Sequence, residues 1–128
     1  MKRELRTLLL VLFAAAASPA WSCGACVEDK VAATYDHGVV MRATGHHQVV
    51  VFAGVEGGGD ARALARKLQT AAASSAGVDR DSVRVSPEPA AISFALDPGV
   101  ATPEKALGAI QKSAAAPGLK LELLRVAR

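Results

Sequence analysis

The chain has 128 residues, 51% of them hydrophobic and 21% charged, with a formal net charge of +3. That length suits one small domain with an apolar core, and the scarcity of aromatics (one Trp, one Tyr, three Phe) leaves that core to Val, Leu, Ile and Ala. Residues 23–128 carry twelve Lys and Arg against eleven Asp and Glu, and they hold no basic stripe with interleaved aromatics, which excludes a nucleic-acid role.

The chain opens on MKRELRTLLLVLFAAAASPAWS. Lys2, Arg3 and Arg6 make a positive start, and Leu8 to Ala17 forms an apolar run shorter than the roughly 20 residues of a membrane span. Ser18-Pro19-Ala20 and Ala20-Trp21-Ser22 both put small residues where a signal peptidase cuts. Residues 1–22 are therefore expected to be a secretory signal peptide, and the protein to be periplasmic or secreted, with no membrane attachment after cleavage. An uncleaved N-terminal anchor or a disordered tail is the alternative. A lipid attached at Cys23 fits less well, because Ala20 and Trp21 stand where such signals carry Leu and a small residue.

Residues 23–45 form an N-terminal segment that reads as one helix from about 25 to 43, with Gly38 as its weak point. Val27, Val31, Tyr35 and Val39 make a narrow apolar stripe, and Glu28 and Asp29 sit in the first turn, favourable to the helix dipole. Cys23 and Cys26 form one C-x-x-C at the start of that helix. Partial positive charge there favours thiolate, which is both a metal ligand and a redox nucleophile. His37 and Met41 lie four residues apart, on one helical face if Gly38 does not break it. His46 and His47 follow at the start of the next strand, where neighbours alternate faces. Beyond residue 47 the chain has no Cys, His or Met. Thiolate, thioether and imidazole together suit copper(I); thiolate with imidazole also suits zinc(II), the lesser fit here.

Spacing limits how many of these donors act together. Cys26 and His37 are eleven residues apart, ~16 Å along a straight helix, too far to share an ion without a bend. The donors make either two sites or one site with bystanders, and Cys23 with Cys26 suffices for two-coordinate Cu(I). Each group also has a plain structural use. The cysteines can close a disulfide in an oxidising compartment, though so short a loop stabilises little. His37 can be an ordinary surface histidine, and Met41 can fill a core.

Residues 46–128 alternate cleanly between two periodicities. HHQVVVFAGV (46–55) reads as a buried strand. GVEGGGD breaks it as a flexible loop, since it matches neither phosphate-binding glycine pattern. Asp60 is an N-cap for the helix of ARALARKLQTAAASSAG, stopped by Gly77. DSVRVS makes a second strand, Pro87 and Pro89 a turn, and AISFALD a third strand with Ile92, Phe94 and Leu96 on one face. Thr102 and Pro103 open a second helix, with Ala106, Leu107, Ile110 and Ala114 on its apolar side. Pro117-Gly118 ends it, and LKLELLRVAR alternates Leu119, Leu121 and Leu123 as a fourth strand.

The order β-α-β-β-α-β predicts an α+β, ferredoxin-like fold: a four-stranded antiparallel sheet with two helices, here preceded by an N-terminal helix. A βαββαβ unit with small residues in its first strand-to-helix loop, on a chain with one C-x-x-C, resembles the heavy-metal-associated domain family of copper chaperones and metal-pumping ATPase modules. In that family the C-x-x-C lies in this loop and its thiolates hold Cu(I). Here the loop is GVEGGGD and the cysteines come some 30 residues earlier, so the resemblance extends to architecture, and no ligand carries over to the loop.

No Ser-His-Asp order or paired carboxylates point to catalysis, so an enzyme is not expected. The leading expectation is an exported metal-binding protein, a copper chaperone or scavenger. Its ligands would be Cys23 and Cys26, with His37 and Met41 as further donors, and its partners a metal ion and a protein to which the metal passes. Two alternatives stand beside it: a thiol–disulfide redox protein, and an interaction module whose C-x-x-C is a local disulfide.

Overall fold

A computed structural model describes residues 26–128; the expected signal peptide at 1–22 and Cys23 lie outside the described residues. In chain order the elements are α1 (Val27–Thr34), α2 (His37–Gly45), β1 (Val49–Glu56), α3 (Ala61–Ala73), a 3-10 turn (Arg80–Ser82), β2 (Arg84–Pro87), β3 (Ala90–Leu96), α4 (Pro103–Ala114) and β4 (Lys120–Ala127). The strands form one antiparallel sheet in the order β2-β3-β1-β4. From β1 to β4 this is the expected ferredoxin-like βαββαβ unit.

The side-chain alternation of β1 divides the interior in two. Val49, Val51, Ala53 and Val55 point to one face, where they meet Ile92, Phe94 and Leu96 of β3, Leu64 and Leu68 of α3, and Leu107 and Ile110 of α4. Val50 and Phe52 point to the other, where with Ala95 they meet Val31 of α1 and Val39 and Ala43 of α2. The sheet is thus covered on both sides. The continuous apolar run Val49–Val55 needs that, because each of those residues is buried.

β4 serves both layers through a bulge. Ala53 pairs with Leu123 and Phe52 with Arg125, so Leu124 is an extra residue. Leu121, Leu123 and Val126 face the larger core, whereas Leu124 and Ala127 face the smaller one. The strict alternation expected for this strand therefore holds only as far as Leu123.

The capping residues act as their chemistry requires. The Asp60 carboxylate accepts from the Ala63 amide (3.0 Å) and the Thr102 hydroxyl from the Lys105 amide (3.2 Å), with Pro103 in the first turn of α4. α3 ends at Ala73, short of Gly77, as Ser74 and Ser75 turn their hydroxyls back onto the Thr70 and Ala71 carbonyls. The expected second strand begins as a 3-10 turn because Ser82 is pulled inward. Its hydroxyl donates to the Asp79 carbonyl and accepts from the Ala95 amide at 2.8 Å.

The N-terminal segment departs most from expectation. It is two helices, not one, and the break falls at Tyr35 and Asp36, both extended, rather than at Gly38, which lies inside α2. Asp36 causes the restart, because its carboxylate caps the new helix by accepting from the Val39 amide at 3.2 Å. His46 and His47 are likewise not part of β1. They close α2: the His47 amide donates to the Thr44 carbonyl (3.3 Å) and the Gln48 amide to the Ala43 carbonyl (2.8 Å), with His47 left-handed at φ 57. These are the paired bonds of a Schellman stop, with a histidine where glycine is usual.

Thr34, at the end of α1, is 4% exposed, and its Oγ1 has no hydrogen-bond partner among the described residues. Thr34→Val keeps the shape and removes the desolvated hydroxyl. It should raise stability by about 1 kcal/mol, a Tm increase of about 4 °C, measured by thermal denaturation; a lower Tm would contradict this packing.

Candidate metal centre

α1 crosses all four strands on the sheet face opposite α3 and α4. Near its start Glu28 pairs with Arg125 of β4. Lys30 lies over β1, where a Cβ added to Gly54 would stand 3.2 Å from its Nζ, so the absent side chain makes room for the lysine. At its end the Thr34 carbonyl accepts from Ser93 Oγ of β3 at 2.9 Å, and just beyond, Asp36 pairs with Arg84 of β2 at 3.1 Å. Small residues beneath the helix (Gly54, Ala91, Ser93, Ala95) let it approach the sheet closely.

That path fixes where the expected ligands stand. Cys26 is the N-cap of α1, and its carbonyl accepts from the Lys30 amide at 3.1 Å. It is half-buried, on the β4 side of the sheet. Glu28 and Asp29 follow it in the first turn. Cys23 lies outside the described residues. His37 is the first residue of α2, on the β2 side, exposed, with its Nδ1 3.3 Å from the Tyr35 hydroxyl. Met41 is one turn further along α2 and 58% exposed. Val39 and Ala43 are the buried residues of that helix, so Met41 is not core filler.

The structure therefore keeps Cys26 and His37 apart. They stand at opposite ends of an eight-residue helix about 12 Å long. His37 and Met41, by contrast, share one uninterrupted helix at the i, i+4 spacing that makes side chains neighbours. His46 and His47 are exposed at the far end of α2. Among the described residues no three His, Cys, Asp or Glu side chains converge as a metal-binding group.

The loop between β1 and α3 offers no Cys, His or Met, and it is not the loose connection expected. Gly57, Gly58 and Gly59 all have positive φ (70, 86 and 82°), and the Gly58 amide donates to the Pro117 carbonyl at 3.1 Å. A Cβ on Gly57 would fall 2.2 Å from the Gly118 carbonyl oxygen, so only glycine permits this contact. Beside the loop lies a crevice of about 210 Å³ lined by apolar side chains that include Val55, Leu64, Leu68, Val85 and Pro87.

Two ion pairs that the sequence did not disclose, Glu28–Arg125 and Asp36–Arg84, tie the two ends of α1 to the outer strands. Asp36 could have been recognised as a helix-capping residue followed three positions later by Val39; its partner 48 residues away could not. The Val39 amide, and then Arg84, hold the Asp36 carboxyl below the ordinary carboxylate range.

The fold itself defines a class: a ferredoxin-like domain of the kind found in heavy-metal-associated modules. The particular likeness is to a crystal structure of a copper binding domain from HMA7, a P-type ATPase. The TM-score is 0.51 at 20% identity, over 61% of this chain and 96% of that one. That share is about the length of the β1-to-β4 unit, and at such identity the likeness is one of fold. No protein-family model matches the chain, and no curated protein matches it.

The electrostatics of Asp36 give a pH signature. A carboxyl held low in the folded state adds stability that is complete above its ordinary value near 3.9 and disappears as pH falls through the folded value. Asp36→Asn keeps a capping oxygen and removes the charge. The stability gap between wild type and Asp36→Asn, followed by circular dichroism, should be open at pH 6 and close below about pH 4; a gap that widens on acidification would contradict the assignment.

Proposed function

We propose that this is an exported, non-catalytic metal-binding protein that handles copper(I), as a chaperone or scavenger, in the periplasm or outside the cell. Cys23 and Cys26 are its primary ligands. The observation that carries the reading is a coincidence of fold and donors. The fold is shared with a domain described as copper binding. Every Cys and His of the chain, and every Met but the initiator, falls within residues 23–47.

The chemistry supports it. Two thiolates three residues apart can hold Cu(I) between them. Cys26 stands at the N-cap of α1, and the free amides of a helix start stabilise negative charge in general. An ion carried there would leave by ligand exchange with another thiolate pair, so the expected partner is a protein that accepts Cu(I). The same helix-terminal position also suits a thiol–disulfide exchange protein, the reading that remains if the reduced chain takes up no metal.

The test is competition for Cu(I) between the reduced protein and a coloured chelator of known affinity. Wild type should withdraw Cu(I) from the chelator. Cys23→Ser, Cys26→Ser or both should lose that ion, weakening its affinity by more than about 100-fold, beyond the cost of losing an outer-shell partner. Unchanged stoichiometry in the double serine protein would remove the cysteines from the account.

A further inference from the structure

We infer that His37 and Met41, with Tyr35 as a positioning residue, form a second soft-metal site, separate from the cysteine pair and able to hold a monovalent d10 ion such as Cu(I) or Ag(I). The inference deepens the copper reading and rests on it for the identity of the natural ion, though not for the existence of the site.

Three observations carry it. The first is separation. An ion bound at ordinary ligand distances of about 2.0–2.3 Å draws its donors to within about 4 Å of one another. α1, with both its ends tied to the sheet, keeps Cys26 and His37 at opposite ends of its eight residues. One ion cannot use both.

The second is exposure without a packing role. Met41 is 58% exposed and Tyr35 52%, two of the most exposed large apolar side chains among the described residues, and they flank the exposed His37 within one short stretch. The buried side of α2 is supplied by Val39 and Ala43. A thioether held in water has lost the usual reason for a methionine, whereas a soft ion would use it.

The third is the hydrogen bond on the imidazole. The Tyr35 hydroxyl lies 3.3 Å from His37 Nδ1. In the tautomer with Nδ1 protonated and donating to the phenol oxygen, Nε2 carries the lone pair that a metal would take. Outer-shell partners of ligating histidines do this work in metal sites generally. Because α2 runs unbroken through Gly38, the imidazole and the thioether sit one turn apart, about 5–6 Å between Cβ atoms, a gap that one ion bridges. Neither donor can enter a disulfide, so this site holds its ion whatever the state of the thiols.

The experiment uses Ag(I) as a redox-inert probe on the full chain, with stoichiometry from native mass spectrometry and site readout from the Met41 methyl and His37 ring NMR signals. Reduced wild type should bind two equivalents. Cys23→Ser/Cys26→Ser should bind one, and that ion should shift both signals together. His37→Ala/Met41→Leu, which changes only exposed side chains, should also bind one. Tyr35→Phe should weaken the retained ion by about 10-fold and move the His37 nitrogen shifts toward the other tautomer. Retention of both equivalents by His37→Ala/Met41→Leu would overturn the site, as would an ion in the double serine protein that leaves both signals still. Retention of both equivalents by the double serine protein would instead defeat the cysteine assignment and leave this site standing if His37→Ala/Met41→Leu loses one.

Discussion

The organisation of this protein depends on one constraint, a central strand that is apolar on both faces. β1 cannot leave Val50 and Phe52 in water, and burying side chains of that size is worth about 1.5–3 kcal/mol each. α3 and α4 cover only one face of the sheet. Something must cover the other, and the chain uses the residues just before β1. Val31, Val39 and Ala43 supply the apolar contact, and the shallow floor of Gly54, Ala91, Ser93 and Ala95 lets α1 come close.

The candidate donors inherit their positions from that requirement. α1 crosses from β4 to β2, so a cysteine at its start and a histidine past its end are carried to opposite sides of the sheet. The ion pairs at Glu28, which is exposed, and at Asp36, which is part-buried, hold it in this direction and contribute more to orientation than to stability. The loop between β1 and α3 is a run of glycines closed against the Pro117-Gly118 turn, and the candidate donors all precede β1.

Much of this was legible in the sequence. The βαββαβ order followed from periodicity and from caps such as Asp60 and Thr102-Pro103, which are local signals. The run of seven apolar residues in β1 already implied burial on two faces. The break in the N-terminal helix was misplaced because glycine is a weak helix former, while Asp36 offers an alternative hydrogen bond that restarts the helix, a competition that propensity alone does not resolve. The bulge at Leu124 was visible only as two consecutive leucines. The donor types were plain from composition. Their partition depended on the direction in which α1 crosses the sheet, and the exposure of Met41 on which side of α2 the sheet takes. Both are tertiary facts.

The most direct measurement is X-ray absorption at the copper edge of the reduced protein loaded with one equivalent of Cu(I). The account predicts a first shell of sulfur alone, two scatterers, lost when Cys23 and Cys26 are replaced by serine. A shell of nitrogen or oxygen in the wild-type protein, or a two-sulfur shell that survives those replacements, would contradict it.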